Sequence, residues 1–100
     1  MGFDDLGVRL ARFRDARDWA QYHTPANLAA SVSIEAAELL ECFQWGKRPA
    51  REAVADEAAD VLIYLVQLAD TLEIDLVSAA LEKIKKNEAR FPTCDEGKRE

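Results

Sequence analysis

The hexapeptide Glu35-Ala36-Ala37-Glu38-Leu39-Leu40 returns 22 residues later as Glu57-Ala58-Ala59-Asp60-Val61-Leu62. Apolar residues around both copies recur at helical spacing: Leu28, Val32, Ala36, Leu39 and Phe43 about the first, then Val54, Ala58, Val61, Leu65, Ala69 and Leu72 about the second. This is the period of an amphipathic helix rather than the alternation of a strand. The chain therefore reads as all-α. At about 100° per residue, Glu35 and Glu38 fall on one flank of their apolar stripe, and Glu57 and Asp60 fall on the corresponding flank of theirs.

Local signals divide the chain into four helices. A first covers about Phe3 to Tyr22. Thr24 fits an N-cap with Pro25 at the first helical position, which starts a second helix that stops near Gly46. Pro49 suits the first turn of a third helix running to about Glu73, and Asp75 caps a fourth that ends before Pro92. The short connections predict antiparallel neighbours and an antiparallel four-helix bundle protomer. Residues 1–92 form the expected domain, and 93–100 a flexible polar tail with no large apolar residue to bury.

If the second and third helices form an antiparallel hairpin about Gly46 to Pro49, level positions carry numbers that sum to roughly 95, as do both Glu38 with Glu57 and Glu35 with Asp60. Each acidic pair then faces the other at one height. The small Ala36, Ala37, Ala58 and Ala59 permit close approach of the helices. The repeat leaves open whether both flanks turn into the shared groove or away from it. Turned away, the carboxylates are ordinary solvated helix surface. Turned inward, four carboxylates repel unless a cation offsets them. A cluster of oxygen ligands suits a hard cation such as Mg²⁺, with Mn²⁺ as a substitute, and such a centre serves phosphate chemistry. A di-iron bundle would need Glu-x-x-His motifs, and the sole histidine, His23, lies outside any such pattern.

Composition narrows the partners. One hundred residues with 49% apolar content support one small domain whose stability leans on self-association. A net charge of -6 and a pI near 4.8 lack the basic stripe of a polyanion binder, so neither nucleic acid nor an anionic membrane is an expected partner. Cys42 and Cys94 form no disulfide framework and read as free thiols of a reducing compartment. No signal-type N-terminus or long apolar run appears, which makes the cytoplasm the expected location.

The run Glu35-Ala-Ala-Glu-Leu-Leu-Glu-Cys-Phe-Gln-Trp45, then Glu57-Ala-Ala-Asp-Val-Leu-Ile-Tyr-Leu65 and Lys83-Ile-Lys-Lys-Asn-Glu-Ala-Arg-Phe-Pro92, resembles the MazG-like all-α nucleoside triphosphate pyrophosphohydrolases. It looks closest to their dCTP pyrophosphatase branch. Arg17-Asp18-Trp19 and His23-Thr-Pro-Ala-Asn27 extend the likeness, so it covers the chain from about Arg9 to Pro92. The connection from Trp45 to Glu57 is short beside that of the animal members and borders the base pocket, so the resemblance does not extend to a particular base.

The resemblance implies Mg²⁺-dependent cleavage of a nucleoside triphosphate between its α and β phosphates, in a dimer or tetramer with sites near subunit contacts. By it, Glu35, Glu38, Glu57 and Asp60 would hold the metal, and Glu38 is the choice for accepting a proton from water. Lys83, Asn87 and Arg90, at i, i+4 and i+7 on the fourth helix, would donate to phosphate oxygens; without it they are a solvated helix end matched to the dipole. Trp19 and Trp45 would stack on a nucleobase, His23 and Asn27 would bond its edge or the sugar, and Tyr64 would meet sugar or phosphate. A related phosphohydrolase of the phosphoribosyl-ATP type is an alternative. A non-catalytic helical dimerisation module with a merely solvated acidic flank is another.

Overall fold

A computed structural model describes residues 2–46 and 48–93; Lys47, residues 94–100 and the Trp45 side chain lie outside it. Among the described residues the regular structure is entirely helical: α1 Phe3–Ala16, α2 Pro25–Glu41, α3 Arg51–Thr71 and α4 Leu76–Arg90, with 3₁₀ turns at Ala20–Tyr22 and Gln44–Gly46. None of these helices is long and apolar enough to cross a membrane.

The caps explain most of the boundaries. Thr24 Oγ1 accepts the Asn27 backbone N–H at 3.2 Å with Pro25 in the first turn, and Asp75 Oδ1 accepts the Ser78 N–H at 3.0 Å, so both expected starts are found. The first helix stops well before Tyr22. Asp18 takes a left-handed conformation (φ 56°), the Trp19 N–H bonds the Arg14 carbonyl at 3.0 Å, and the Asp18 N–H bonds that of Asp15 at 3.2 Å. These paired bonds are a Schellman closure, which short polar Asp tolerates without glycine. The second helix likewise ends at Glu41, and a 3₁₀ turn carries the chain on to Gly46, which supplies the left-handed turn (φ 67°). Pro49 precedes the third helix rather than opening it.

α2 and α3 form the antiparallel hairpin and pack closely, and α1 lies against α3. Gly7 marks the near approach: a methyl there would sit 3.1 Å from Asp70 Oδ2. The tightest burial is at Leu28, Val66 and Ala69, where the start of α2 meets the end of α3.

The four-helix bundle expected for one protomer is not closed. α4 has no extended packing against the other helices, and every residue of it after Leu76 is exposed, including Val77, Leu81 and Ile84. The radius of gyration is 17.3 Å, against about 13 Å for a compact domain of this length. The physical reason lies at the end of α3. A second Schellman closure, with Glu73 left-handed (φ 55°) and the Ile74 N–H on the Ala69 carbonyl at 2.8 Å, turns the chain so that α4 leaves the hairpin. Among the described residues its apolar side chains Val77, Leu81 and Ile84 stay exposed.

Candidate active site

The hairpin brings the acidic turns together on one side. A carboxylate oxygen from each of Glu35, Glu57 and Asp60 lies within 4.8 Å of the others, and each residue is half-buried. Glu38, on the turn after Glu35, lies outside that group of three but near enough for its carboxyl to act on both Glu35 and Glu57. Of the two orientations that the repeat allowed, the inward one is adopted. The flanks share one groove.

Crowding shows in the electrostatics. The Glu35 carboxyl is raised from 4.5 to about 6, first by a hydrogen bond with the Glu38 carboxyl that requires a proton between them, then by desolvation and by the charges of Glu38, Asp60 and Glu57. Glu57 is also raised, chiefly by desolvation and then by the charges of Glu38 and Asp60. Glu35 Oε2 and Glu57 Oε2 are buried and accept no hydrogen bond.

That arrangement fits a hard divalent cation on the chemistry of its donors. Carboxylate oxygens from three residues already within 4.8 Å of one another can be drawn onto one ion by side-chain adjustment, without any movement of the helices. The two orphaned oxygens are acceptors without a donor, which is what a cation replaces.

Beside this group, and one turn further along α3, lies a cavity of about 320 Å³ between α1, α3 and the segment before α2. Trp19, His23 and Tyr64 meet there with Leu10, Phe13 and Ile63, giving an aromatic and aliphatic chamber. Trp19 stands edge-on to Phe13, with ring centroids 5.6 Å apart, and the Arg17 guanidinium covers the Phe13 ring at 3.6 Å. His23 Nδ1 is buried and unpartnered. Two residues not singled out in the sequence also line the chamber, Arg9 and Gln67. Gln67 carried a readable signal, a lone amide inside the apolar run Leu65-Val66-Gln67-Leu68-Ala69.

The other candidate residues are not gathered here. Asn27 is exposed, and its side-chain amide donates to the Tyr22 carbonyl at 3.0 Å, bracing the turn into α2. Lys83, Asn87 and Arg90 stand exposed on α4, with Arg90 over the neighbouring Phe91 ring at 5.1 Å. Among the described residues no ion pair joins them to the carboxylates; the one between side chains is Arg14 with Asp15. The candidate Trp45 side chain is outside the described residues.

A two-helix hairpin with converging carboxylates and an adjoining aromatic cavity defines a class, and the comparisons agree with it: the MazG-like family pattern matches residues 30–100, and the chain belongs to that family. Among individual relatives, dCTP pyrophosphatase 1 of Homo sapiens is 42% identical over 99 residues, covering 89% of this chain and 58% of that protein. The Mus musculus protein of the same name is 40% identical with the same coverage. The chain thus spans little more than half the length of these curated relatives. The crystal structure of a pyrophosphatase from Archaeoglobus fulgidus superposes with a TM-score of 0.81 at 47% identity, covering 90% of this chain and 92% of that one.

Proposed function

We propose that this protein hydrolyses a nucleoside triphosphate, most naturally a deoxynucleotide, to the monophosphate and pyrophosphate, as a cytoplasmic enzyme clearing surplus or non-standard nucleotides. The observation that carries the reading is the convergence of Glu35, Glu57 and Asp60, with Glu38 against them, beside an aromatic chamber of nucleobase size. The names of the relatives point the same way.

In this reading Glu35, Glu38, Glu57 and Asp60 hold Mg²⁺, or Mn²⁺ in its place. Bound there, the ion would neutralise the triphosphate and make a nearby water more acidic. The chain's own residues supply the rest. Glu38, a neighbour of both Glu35 and Glu57, accepts the proton of the attacking water. Trp19 and Tyr64, which line a largely apolar cavity, flank the base and sugar. His23 lines the same space.

Phosphate donors come from α4. Lys83, Asn87 and Arg90 form a stripe on a helix whose apolar face, Val77, Leu81 and Ile84, is exposed in the protomer. Burying that face in a homodimer, or in a tetramer of two dimers, gives the stripe its route to a carboxylate group. The same exposed face supports the alternative of a non-catalytic dimerisation module. Incubating the protein with a panel of nucleoside triphosphates and Mg²⁺, phosphoribosyl-ATP included, and measuring pyrophosphate release separates the readings. Release from ordinary triphosphates is expected; no release from any would overturn the proposal.

A further inference from the structure

Phe13 and Trp19 both line the chamber, yet 46% and 45% of their surfaces are exposed. Side chains with that much freedom turn on the picosecond to nanosecond scale unless something holds them. The backbone of Trp19 is fixed. Its N–H bonds the Arg14 carbonyl at 3.0 Å, its carbonyl accepts the Tyr22 N–H at 2.9 Å, and the Gln21 amide ties Asp18 at both its carbonyl (3.1 Å) and its Oδ2 (3.3 Å). The ring is held differently. It stands edge-on to Phe13, with centroids 5.6 Å apart and planes at 72°, and the Arg17 guanidinium lies 3.6 Å from the Phe13 centroid and 6.0 Å from that of Trp19. Arg17 is itself anchored, because its Nη1 donates to the Phe13 carbonyl at 3.1 Å. It does not line the chamber. One cation thus lies over the ring pair and is tied to the backbone of the residue whose ring it covers.

Resting on the proposed reading of this chamber as the base site, we propose that Arg17 is a positioning residue: its guanidinium, held at the Phe13 carbonyl, pins Phe13 and Trp19 edge to face and so pre-sets the wall on which a nucleobase stacks. The rings are then ordered on folding rather than at binding, which raises affinity without any contact between Arg17 and the ligand. Arginine suits the task because its planar, permanently charged fork lies flat on an aromatic face while an N–H at its edge bonds a carbonyl. A surface arginine without this task could be replaced with no change at the chamber. The effect falls on the base, away from the phosphates, and so it reads in KM rather than kcat.

Arg17→Met keeps the length of the side chain and removes its charge and donors, whereas Arg17→Lys keeps the charge. Both are made in the full chain for kinetics, and again with Trp45→Phe, where Trp19 is the sole tryptophan, for time-resolved fluorescence anisotropy without nucleotide. In Arg17→Met the KM for nucleoside triphosphates should rise about twofold to fivefold, the worth of a cation–π contact at an exposed site, with kcat unchanged. Inhibition by inorganic tripolyphosphate, which carries no base, should stay as in the wild type. The fast depolarisation of Trp19 should grow in amplitude, and Arg17→Lys should fall between the other two proteins on both readouts. With Phe13→Leu already in place, Arg17→Met should add nothing, since the ring through which it acts is gone. A KM change below about twofold, a fall in kcat, an equal change in tripolyphosphate inhibition, or an undiminished effect beside Phe13→Leu would overturn the assignment. So would a Trp19 anisotropy indifferent to Arg17. If no triphosphate is turned over while the anisotropy still depends on Arg17, the hydrolase reading fails and Arg17 keeps its hold on the wall; turnover with an indifferent anisotropy does the reverse.

Discussion

Glu35, Glu38, Glu57 and Asp60 sit on two helices that pack against each other, whereas Lys83, Asn87 and Arg90 sit on one that is exposed after its first residue. Both sets use the same spacing of one turn or two. The acidic set is assembled by contacts within the chain, so its geometry exists whenever the hairpin is folded. Among the described residues the cationic set is not joined to it within the chain, and in the proposed dimer the burial of Val77, Leu81 and Ile84 would bring the two together. On the proposed reading, half of the candidate site depends on folding and half on association.

The largest expected effect falls on the acidic half. Glu57→Gln or Asp60→Ala removes a donor from the proposed metal centre, and a loss of about 4 kcal/mol of transition-state stabilisation is about a thousandfold in kcat. Lys83→Ala should be milder, roughly tenfold to a hundredfold and felt partly in KM, since neighbouring Asn87 and Arg90 remain. Pyrophosphate-release kinetics measure both. Equal losses would break the distinction between the two halves.

A disruption of association should come next. Leu81→Glu places a charge in the middle of the exposed α4 face and is expected to shift the protein toward monomer in sedimentation, with activity falling roughly tenfold or more. In that background Lys83→Ala should cost little further, because the stripe is already detached. Glu57→Gln should still abolish what remains.

The same division decides what was legible in the sequence. The acidic group could be read because both halves lie in one hairpin, where helical period and turn position fix which residues are level; only its inward or outward face was open. The caps at Thr24 and Asp75 were legible because a short polar side chain at a helix start has a local bonding partner. The early end of α1 was not, since Asp18 carries no glycine signal for its left-handed backbone. The departure of α4 was hidden for a similar reason. An apolar stripe says that a helix buries a face, and it does not say in which molecule.

Acidity offers a sharper probe of the hairpin half. The Glu35 carboxyl is raised to about 6 in the folded protein from 4.5, so between these values the folded state binds more protons than the unfolded state. Stability from this group is full below 4.5 and is lost as pH rises through about 6. Asp75 has the opposite sign: lowered from 3.8 chiefly by the Ser78 backbone N–H, it contributes above that value and is lost only in stronger acid. In chelator, then, the melting temperature should decline as pH rises from 4.5 to 6, and millimolar Mg²⁺ should reverse the decline by binding the deprotonated set. A profile that is flat in chelator would mean that the carboxylates do not crowd.

The smallest effect concerns the two left-handed joints that flank α3. At the hairpin end the position is Gly46, which meets nothing within 4 Å of an added methyl, so the cost of Gly46→Ala is conformational alone, about 1 kcal/mol destabilising. At the α4 end the position is Glu73, a branched-off residue in a backbone that glycine would adopt freely. Glu73→Gly should relieve about 1 kcal/mol there, reduced by the extra freedom that glycine gives the unfolded chain to a net gain of roughly 0.5 kcal/mol. Denaturant melts of the two variants should thus move in opposite directions. If Glu73→Gly destabilises instead, its side chain is holding α4 in the course it takes, and the exit of that helix is enforced by more than the backbone bonds of the Schellman closure.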